Sequence, residues 1–237
     1  AGADRATYIA AYAAYVGALS ANGADGIEVW REMNGRMTAQ EYVQLLAYAY
    51  QAIKTADPTT LVITGALKPV ADAENPDDND SAYYALLAEA SAAKYADCIG
   101  TQYVLGTVAP DSTSGDPRGD SPIYYLPASS DGPRAAAGGV LPVCYTRLGY
   151  LSPEGYPPLP EDYAWAQSVT AAQQAQWTTD AIRLGMEGTQ VRLIIIWSLD
   201  AAYFGGGSPE AGYAIIRPDG TCPACDLIEP LLKEPES

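Results

Sequence analysis

A chain without histidine has to move protons with carboxylates, tyrosine or lysine, and none of these 237 residues is histidine. Imidazole bases, the triads built on them and most zinc or iron sites are thereby excluded. Two charged residues stand where β-branched or apolar runs end. Glu32 follows the alternating run Gly26 to Trp30 with Arg31 before it, and Arg147 lies within Val143-Cys144-Tyr145-Thr146-Arg147-Leu148. A guanidinium keeps its proton in proteins, so Arg147 can neither attack nor act as a base. The plain reading of Glu32 is half of a buried ion pair with Arg147 or Arg31, whose loss should cost about 3–5 kcal/mol. Retained acid/base work is the alternative. Asp200, three residues beyond Trp197, reads first as a loop cap, with service as a second carboxylate as the alternative.

The four cysteines divide in two. Cys98 and Cys144 lie in apolar, strand-like runs and can pair with each other. Cys222-Pro223-Ala224-Cys225 falls in a late loop. A lone C-x-x-C can be redox-active, half of a zinc site or a structural disulfide. It has no second ligand pair and is not expected to open a helix after a strand, which favours the disulfide and with it an extracellular or cell-surface location. The acidic run Asn75-Pro76-Asp77-Asp78-Asn79-Asp80 has the carboxylates of a calcium loop, but not the glycine and closing glutamate of an EF-hand. A solvated loop leading into a helix is the better reading. Gly205-Gly206-Gly207 precedes no phosphate-binding helix and reads as a turn. No cofactor or metal is expected.

Positioning these groups requires elements that the periodicity supplies. Helical spacing of Ile9, Tyr12, Ala13, Val16 and Leu19 predicts a helix over 4–21. Thr38 and Glu41 form a capping-box pattern opening a helix through Ala56, with Tyr42, Leu45, Leu46, Ala49 and Ile53 buried. An acidic loop from Asp72 to Asp80 leads to a helix over 81–95. A further helix is expected over 170–186, with Ala175, Thr178, Thr179 and Ile182 inward. Strands are expected at 26–30, 61–65, 97–103, 141–146 and 191–197. Residues 104–139, rich in Pro, Gly, Ser and Asp, read as one long excursion loop. Near-continuous apolar strands alternating with helices mean an α/β fold with a parallel sheet, taken as a single domain over 1–237.

A net charge of −16 repels phosphate backbones and anionic headgroups, so neither nucleic acid nor a lipid surface is an expected partner. No apolar run approaches the roughly 20 residues that span a bilayer. The chain begins at Ala1 with no signal-peptide pattern, as a processed form or a fragment would.

The order of motifs resembles retaining glycosidases of the large (β/α)8-barrel clan over nearly the whole chain. Gly26-Ile27-Glu28-Val29-Trp30-Arg31-Glu32-Met33-Asn34 resembles their acid/base strand, which usually reads Ile-Glu-Val-Trp-Asn-Glu-Pro/Met-Asn. Val143 to Tyr150 resembles the nucleophile strand with Arg147 in place of the glutamate. Tyr48 to Pro58, Pro153-Glu154-Gly155-Tyr156 and Ile196-Trp197 also look familial. The resemblance implies a TIM-barrel-like fold in which the five strands correspond to strands four to eight, the first three being absent from this chain. Self-association or another chain would then complete the barrel.

The same resemblance makes Glu32 a vestigial acid/base residue and Arg147 the occupant of the nucleophile position. It places Arg31 where an asparagine orients the sugar and Gln102 where a histidine is often found. Tyr103, Tyr145, Trp197 and Asp200 join them as candidate carbohydrate contacts, with Tyr150 a further cleft aromatic. Arg147 placed near Glu32 would hold its carboxylate ionised, against the need of a general acid. The expected function is therefore that of a catalytically impaired glycoside hydrolase-like protein, acting in carbohydrate binding or as an extracellular assembly subunit. The alternative is an active enzyme pairing Glu32 with a substitute carboxylate, Asp200 or Glu154, or with a water that Glu32 activates.

Overall fold

The computed structural model describes residues 4–70, 73–188, 190–201, 204 and 208–233. Their elements run α1 (Arg5–Ala21), β1 (Gly26–Val29), α2 (Ala39–Ala56), β2 (Leu61–Thr64), α3 (Asp80–Glu89), β3 (Ile99–Tyr103), α4 (Ala128–Ala136), β4 (Val143–Leu148), α5 (Ala171–Glu187), β5 (Val191–Ile196) and α6 (Pro223–Lys233). Short 3₁₀ turns at Ala92–Tyr95, Pro122–Tyr124, Glu161–Ala166 and Glu210–Tyr213 join them. β1 and β2 pair in parallel from Gly26 with Leu61 to Val29 with Thr64, and a parallel bridge joins Ile63 to Cys98. β3, β4 and β5 form a three-stranded sheet in that order. The chain divides into two compact units, one of residues Ala1–Gln102 and Ser130–Thr146, the other of Tyr103–Ser129 and Arg147–Ser237.

In the first unit, the Thr38 hydroxyl accepts the Glu41 N–H at 3.3 Å while the Glu41 carboxylate accepts the Thr38 N–H at 2.8 Å, the reciprocal cap expected from the sequence. α2 thus begins where its apolar stripe begins, and Tyr42, Leu46, Ala49 and Ile53 are wholly buried. The Tyr42 hydroxyl donates to the Val29 carbonyl and accepts the Gly65 N–H, tying α2 to the ends of β1 and β2. On α1 the expected inward Leu19 is exposed and Ser20 is buried instead. Ser20 satisfies its hydroxyl on the Ile53 carbonyl and the Thr60 hydroxyl, which a leucine could not do. Gly100 on β3 has no substitute, because a Cβ there would lie 1.9 Å from the Thr64 carbonyl oxygen.

The helix expected over 81–95 is two pieces. Ser91 takes a left-handed backbone (φ 61°), so α3 ends at Glu89 and the chain restarts as a 3₁₀ turn that buries Ala92. Asn79 caps α3 through the Ala82 N–H, so the acidic run leads into a helix as expected, while Asp72 and Gly205–Gly207 lie outside the described residues.

The second unit packs Val104, Leu151, Ala166, Val169 and Tyr213 in one cluster and Ala175, Ile215, Ala224 and Ile228 in another. α5 opens on a second reciprocal cap, Thr170 with Gln173. Gln174 is buried with its amide donating to the Tyr150 and Gly212 carbonyls and its oxygen accepting from Arg217. Residues 104–139 are not one loop, since α4 forms within them around Pro133. Residues 222–225 are not a loop either, because Pro223 is the first residue of α6. β5 departs from expectation too. It lies at the end of its sheet, Arg192 and Ile195 are exposed, and its other residues are only half-buried.

Candidate functional site

Glu32 owes its position to an abrupt end of β1. Trp30 and Glu32 both have positive φ, 64° and 54°, a region that side chains with a Cβ seldom enter. Such backbone costs about 1–3 kcal/mol per residue and persists only where the surroundings impose it. Here the Tyr12 hydroxyl accepts the Trp30 N–H at 2.9 Å, and the Ala66 carbonyl accepts the Glu32 N–H at 2.8 Å. Gly65 leaves room for the turn, since a Cβ there would lie 2.7 Å from the Trp30 carbonyl oxygen. The Trp30 ring packs on the first unit's core, edge-on to Tyr8 and Tyr12.

The Glu32 side chain, 30% exposed, has the Arg31 Nε 3.8 Å from its Oε1. Gln102 donates its amide to the Leu67 carbonyl at 2.6 Å and reaches Glu32 Oε1 at 3.5 Å. Glu32 also borders a cavity of about 380 Å³ with Asn34, Arg36, Lys68 and Asp78, so cations and carboxylates share one polar recess. Asn34 orders its rim by donating to the Lys68 and Asp78 carbonyls.

Beneath this lies Glu28, a carboxyl that sequence reasoning quoted without giving it a role. Its Oε1 accepts the Ala66 N–H at 2.9 Å and the Thr146 hydroxyl at 3.0 Å. Burial pushes its carboxyl above the usual carboxylate range, while those two hydrogen bonds and the charge of Arg31 pull it back.

In the second unit Arg147 is the centre of a compact group. Its guanidinium lies 4.0 Å from the centroid of the Trp197 ring, and its Nη2 is 3.4 Å from Glu210 Oε2. The Trp197 indole N–H donates to that same oxygen at 3.1 Å. One face of Trp197 is thus covered by a cation, and Glu210, 42% exposed against 13% for Arg147, offers the group's accessible charge. Tyr213 is buried beside them, and burial holds its hydroxyl well above the ordinary phenol range. Gly149 lets the backbone pass close by, because a Cβ there would lie 2.0 Å from the Trp197 carbonyl oxygen. The Trp197–Ser198 peptide bond is cis.

Of the residues singled out from the sequence, the first unit brings Glu32, Arg31 and Gln102 together, and the second brings Arg147 to Trp197. Of the two cations proposed to pair with Glu32, Arg31 approaches it. The carboxylate on Arg147 is Glu210, which the sequence reading did not find. Glu210 lies 63 residues beyond Arg147, after a glycine-rich stretch, and no spacing signals it. Tyr103 and Tyr145 are buried, Tyr103 donating its hydroxyl to the Tyr124 carbonyl with its ring edge-on to the buried Tyr150. Asp200 is exposed. Glu154, the other candidate substitute, accepts the Ala171 N–H at 2.7 Å and so supports the start of α5. Both disulfides are formed, Cys98–Cys144 and Cys222–Cys225. Among the described residues no three His, Cys, Asp or Glu gather to hold a metal ion, and no helix is long and apolar enough to cross a membrane.

No protein-family model and no curated protein sequence matches the chain. Solved structures do. A family 39 glycoside hydrolase from the gut symbiont Bacteroides cellulosilyticus WH2 superposes with a TM-score of 0.59 at 16% identity, over 93% of this chain and 44% of that one. A monomeric beta-xylosidase from Caulobacter crescentus CB15 gives 0.53 at 19%, over 97% and 47%. GH10 from Paenibacillus barcinonensis gives 0.59 at 13%, over 99% and 70%. The chain thus spans about half the length of the first two. At these identities the likeness carries the fold alone: the chain has the α/β fold, with parallel strands, of TIM-barrel glycoside hydrolases.

Proposed function

We propose that this chain is a catalytically impaired glycoside hydrolase-like protein that binds carbohydrate or serves as an extracellular assembly subunit. The observation that carries the reading is the engagement of Arg147. The β4 position that the resemblance assigns to an attacking carboxylate holds a cation stacked on Trp197 and bonded to Glu210. Retaining hydrolysis needs two carboxyl groups about 5–5.5 Å apart, one protonating the leaving oxygen and the other attacking the anomeric carbon. Arg147 cannot take the second part.

On this reading residues 1–237 form one glycosidase-like domain in which β1 to β5 take the places of strands four to eight. Glu32 is the vestigial acid, oriented by Gln102. In the first unit Arg31 is a carbohydrate contact, and in the second Asp200 and Trp197 are, while Tyr103 and Tyr145 are buried and support the strands that carry them. A second copy or another chain covers the open strands. The two disulfides fit an extracellular compartment.

One observation favours a second reading, an active hydrolase: Glu210 is a partly exposed carboxylate beside the nucleophile position, better placed for that part than Glu154. The test is hydrolysis of aryl glycosides, including xylosides, with calorimetric titration of the matching oligosaccharides. The first reading expects oligosaccharide binding without turnover, and a gain of hydrolysis in the Arg31→Asn/Arg147→Glu double variant. Turnover by the unaltered chain that disappears in Glu32→Gln would establish the second reading. Neither binding nor turnover in any form would sink both.

A further inference from the structure

We propose that Cys222–Cys225 is a thiol–disulfide exchange site, with a dithiol or a disulfide as its reaction partner. The two disulfides of this chain are built differently. Cys98 and Cys144 are both wholly buried, and their bond joins positions 46 residues apart. Cys222 and Cys225 are three apart and both half-buried. A cross-link stabilises chiefly by restricting the unfolded chain, by a constant amount plus a part that grows with the logarithm of the loop it closes. By the same relation a bond across three residues restricts roughly half as much as one across 46. The start of α6 is held by other means, since Ala224 and Ile228 pack against Ala175 and Ile215, and the Arg217 N–H bonds the Thr221 carbonyl. Stability therefore gives less reason for this bond than for Cys98–Cys144.

Its surroundings suit exchange. Cys222 immediately precedes the 11-residue α6, and the backbone N–H of Cys225 points at the Cys222 sulfur, 3.2 Å away. Once the bond is opened, negative charge on Cys222 Sγ meets that N–H and the positive end of the helix, which lowers the cost of a thiolate there. Cys225, inside the first turn, has no such N–H on its sulfur among the described hydrogen bonds. Asp226 in the same turn and Asp219 three residues before Cys222 act against a thiolate and repel an anionic partner, so an uncharged or protein-borne thiol suits the site best.

The chemistry balances as two successive exchanges. A dithiol's thiolate attacks one sulfur of the bond, forming a mixed disulfide and releasing the other cysteine, which takes up a proton. The second thiol of the reductant then closes its own disulfide and releases the remaining cysteine. Two electrons and two protons pass to the pair and the dithiol is oxidised. In reverse, the Cys222 thiolate attacks a partner disulfide and releases one thiolate. Cys225 then re-forms the internal bond and releases the second.

The test is graded treatment of the folded protein with dithiothreitol, alkylation with iodoacetamide and mass mapping of the cysteines. Cys222 and Cys225 should become alkylated while Cys98–Cys144 stays closed and the far-ultraviolet circular dichroism is unchanged. Opening of both bonds together, or survival of Cys222–Cys225 until the protein unfolds, would overturn the proposal. Single variants assign the roles. The thiol left at 222 in Cys225→Ser should react with 2,2′-dithiodipyridine at least about tenfold faster than the thiol left at 225 in Cys222→Ser. Equal or reversed rates would remove Cys222 as the attacking group.

Discussion

Glu28 and Glu32 lie four residues apart and face different demands. Glu32 borders a polar recess on strained backbone, whereas Glu28 is inside, satisfied by one N–H and one hydroxyl. Because burial raises the Glu28 pKa on folding, the native state holds its proton more tightly than the unfolded chain. Stability therefore falls as pH climbs from the ordinary carboxylate value of about 4.3 to the raised one, and stays lower above it. Glu28→Gln keeps an acceptor for both hydrogen bonds and removes the titration. Its melting temperature at pH 7 should exceed that of the unaltered chain, and the difference should shrink as pH falls through the carboxylate range. Arg118 gives the opposite case. It is stacked on Tyr124 and Trp165 and holds the fully buried Asp116 carboxylate with two nitrogens, at 2.8 and 2.7 Å. Burial alone would raise the Asp116 pKa, but the Arg118 and Thr107 hydrogen bonds outweigh it and hold it below the usual range. Arg118→Ala should cost about 3–5 kcal/mol in urea unfolding by leaving a buried charge, and adding Asp116→Ala should recover part of that loss.

At the scale of elements, the starts of α2 and α5 are written in side chains, whereas α1, with no side-chain N-cap, is legible from its periodicity. Thr38 with Glu41 and Thr170 with Gln173 cap α2 and α5 as reciprocal pairs. Thr38→Ala should destabilise by about 1 kcal/mol in denaturant unfolding with an unchanged m-value, because α2 keeps its buried face and loses only its cap. The elements missed carry contrary local signals. α4 contains Gly132 and Pro133, and α6 contains Pro230, residues that weaken or interrupt a helix in isolation. Both form because Ala136 in α4, and Ala224 and Ile228 in α6, have apolar surfaces to bury against. Sequence pattern also could not separate α3 from the turn at 92–95, since the break is one left-handed serine and the composition on either side is the same.

For the whole molecule, the open question of partners becomes a measurement. β5 is an apolar strand at the end of its sheet with Ile195 46% exposed, and an uncovered apolar edge invites pairing with another chain. Size-exclusion chromatography with light scattering should give a mass above the 25.0 kDa of one chain, and a stable monomer at micromolar concentration would count against a covering partner. The amino-acid sequence determined what depends on local periodicity and residue chemistry: alternating strands and helices, the caps of α2 and α5, the absence of imidazole chemistry, and the placing of Glu32 and Arg147 at strand ends. Only the tertiary structure decided that Glu210 is the acid on Arg147, that Glu28 is a buried carboxyl, and that Cys222 stands at the mouth of a helix. Those facts depend on which distant segments pack together, and packing is settled by the burial of whole surfaces rather than by any run of neighbouring residues.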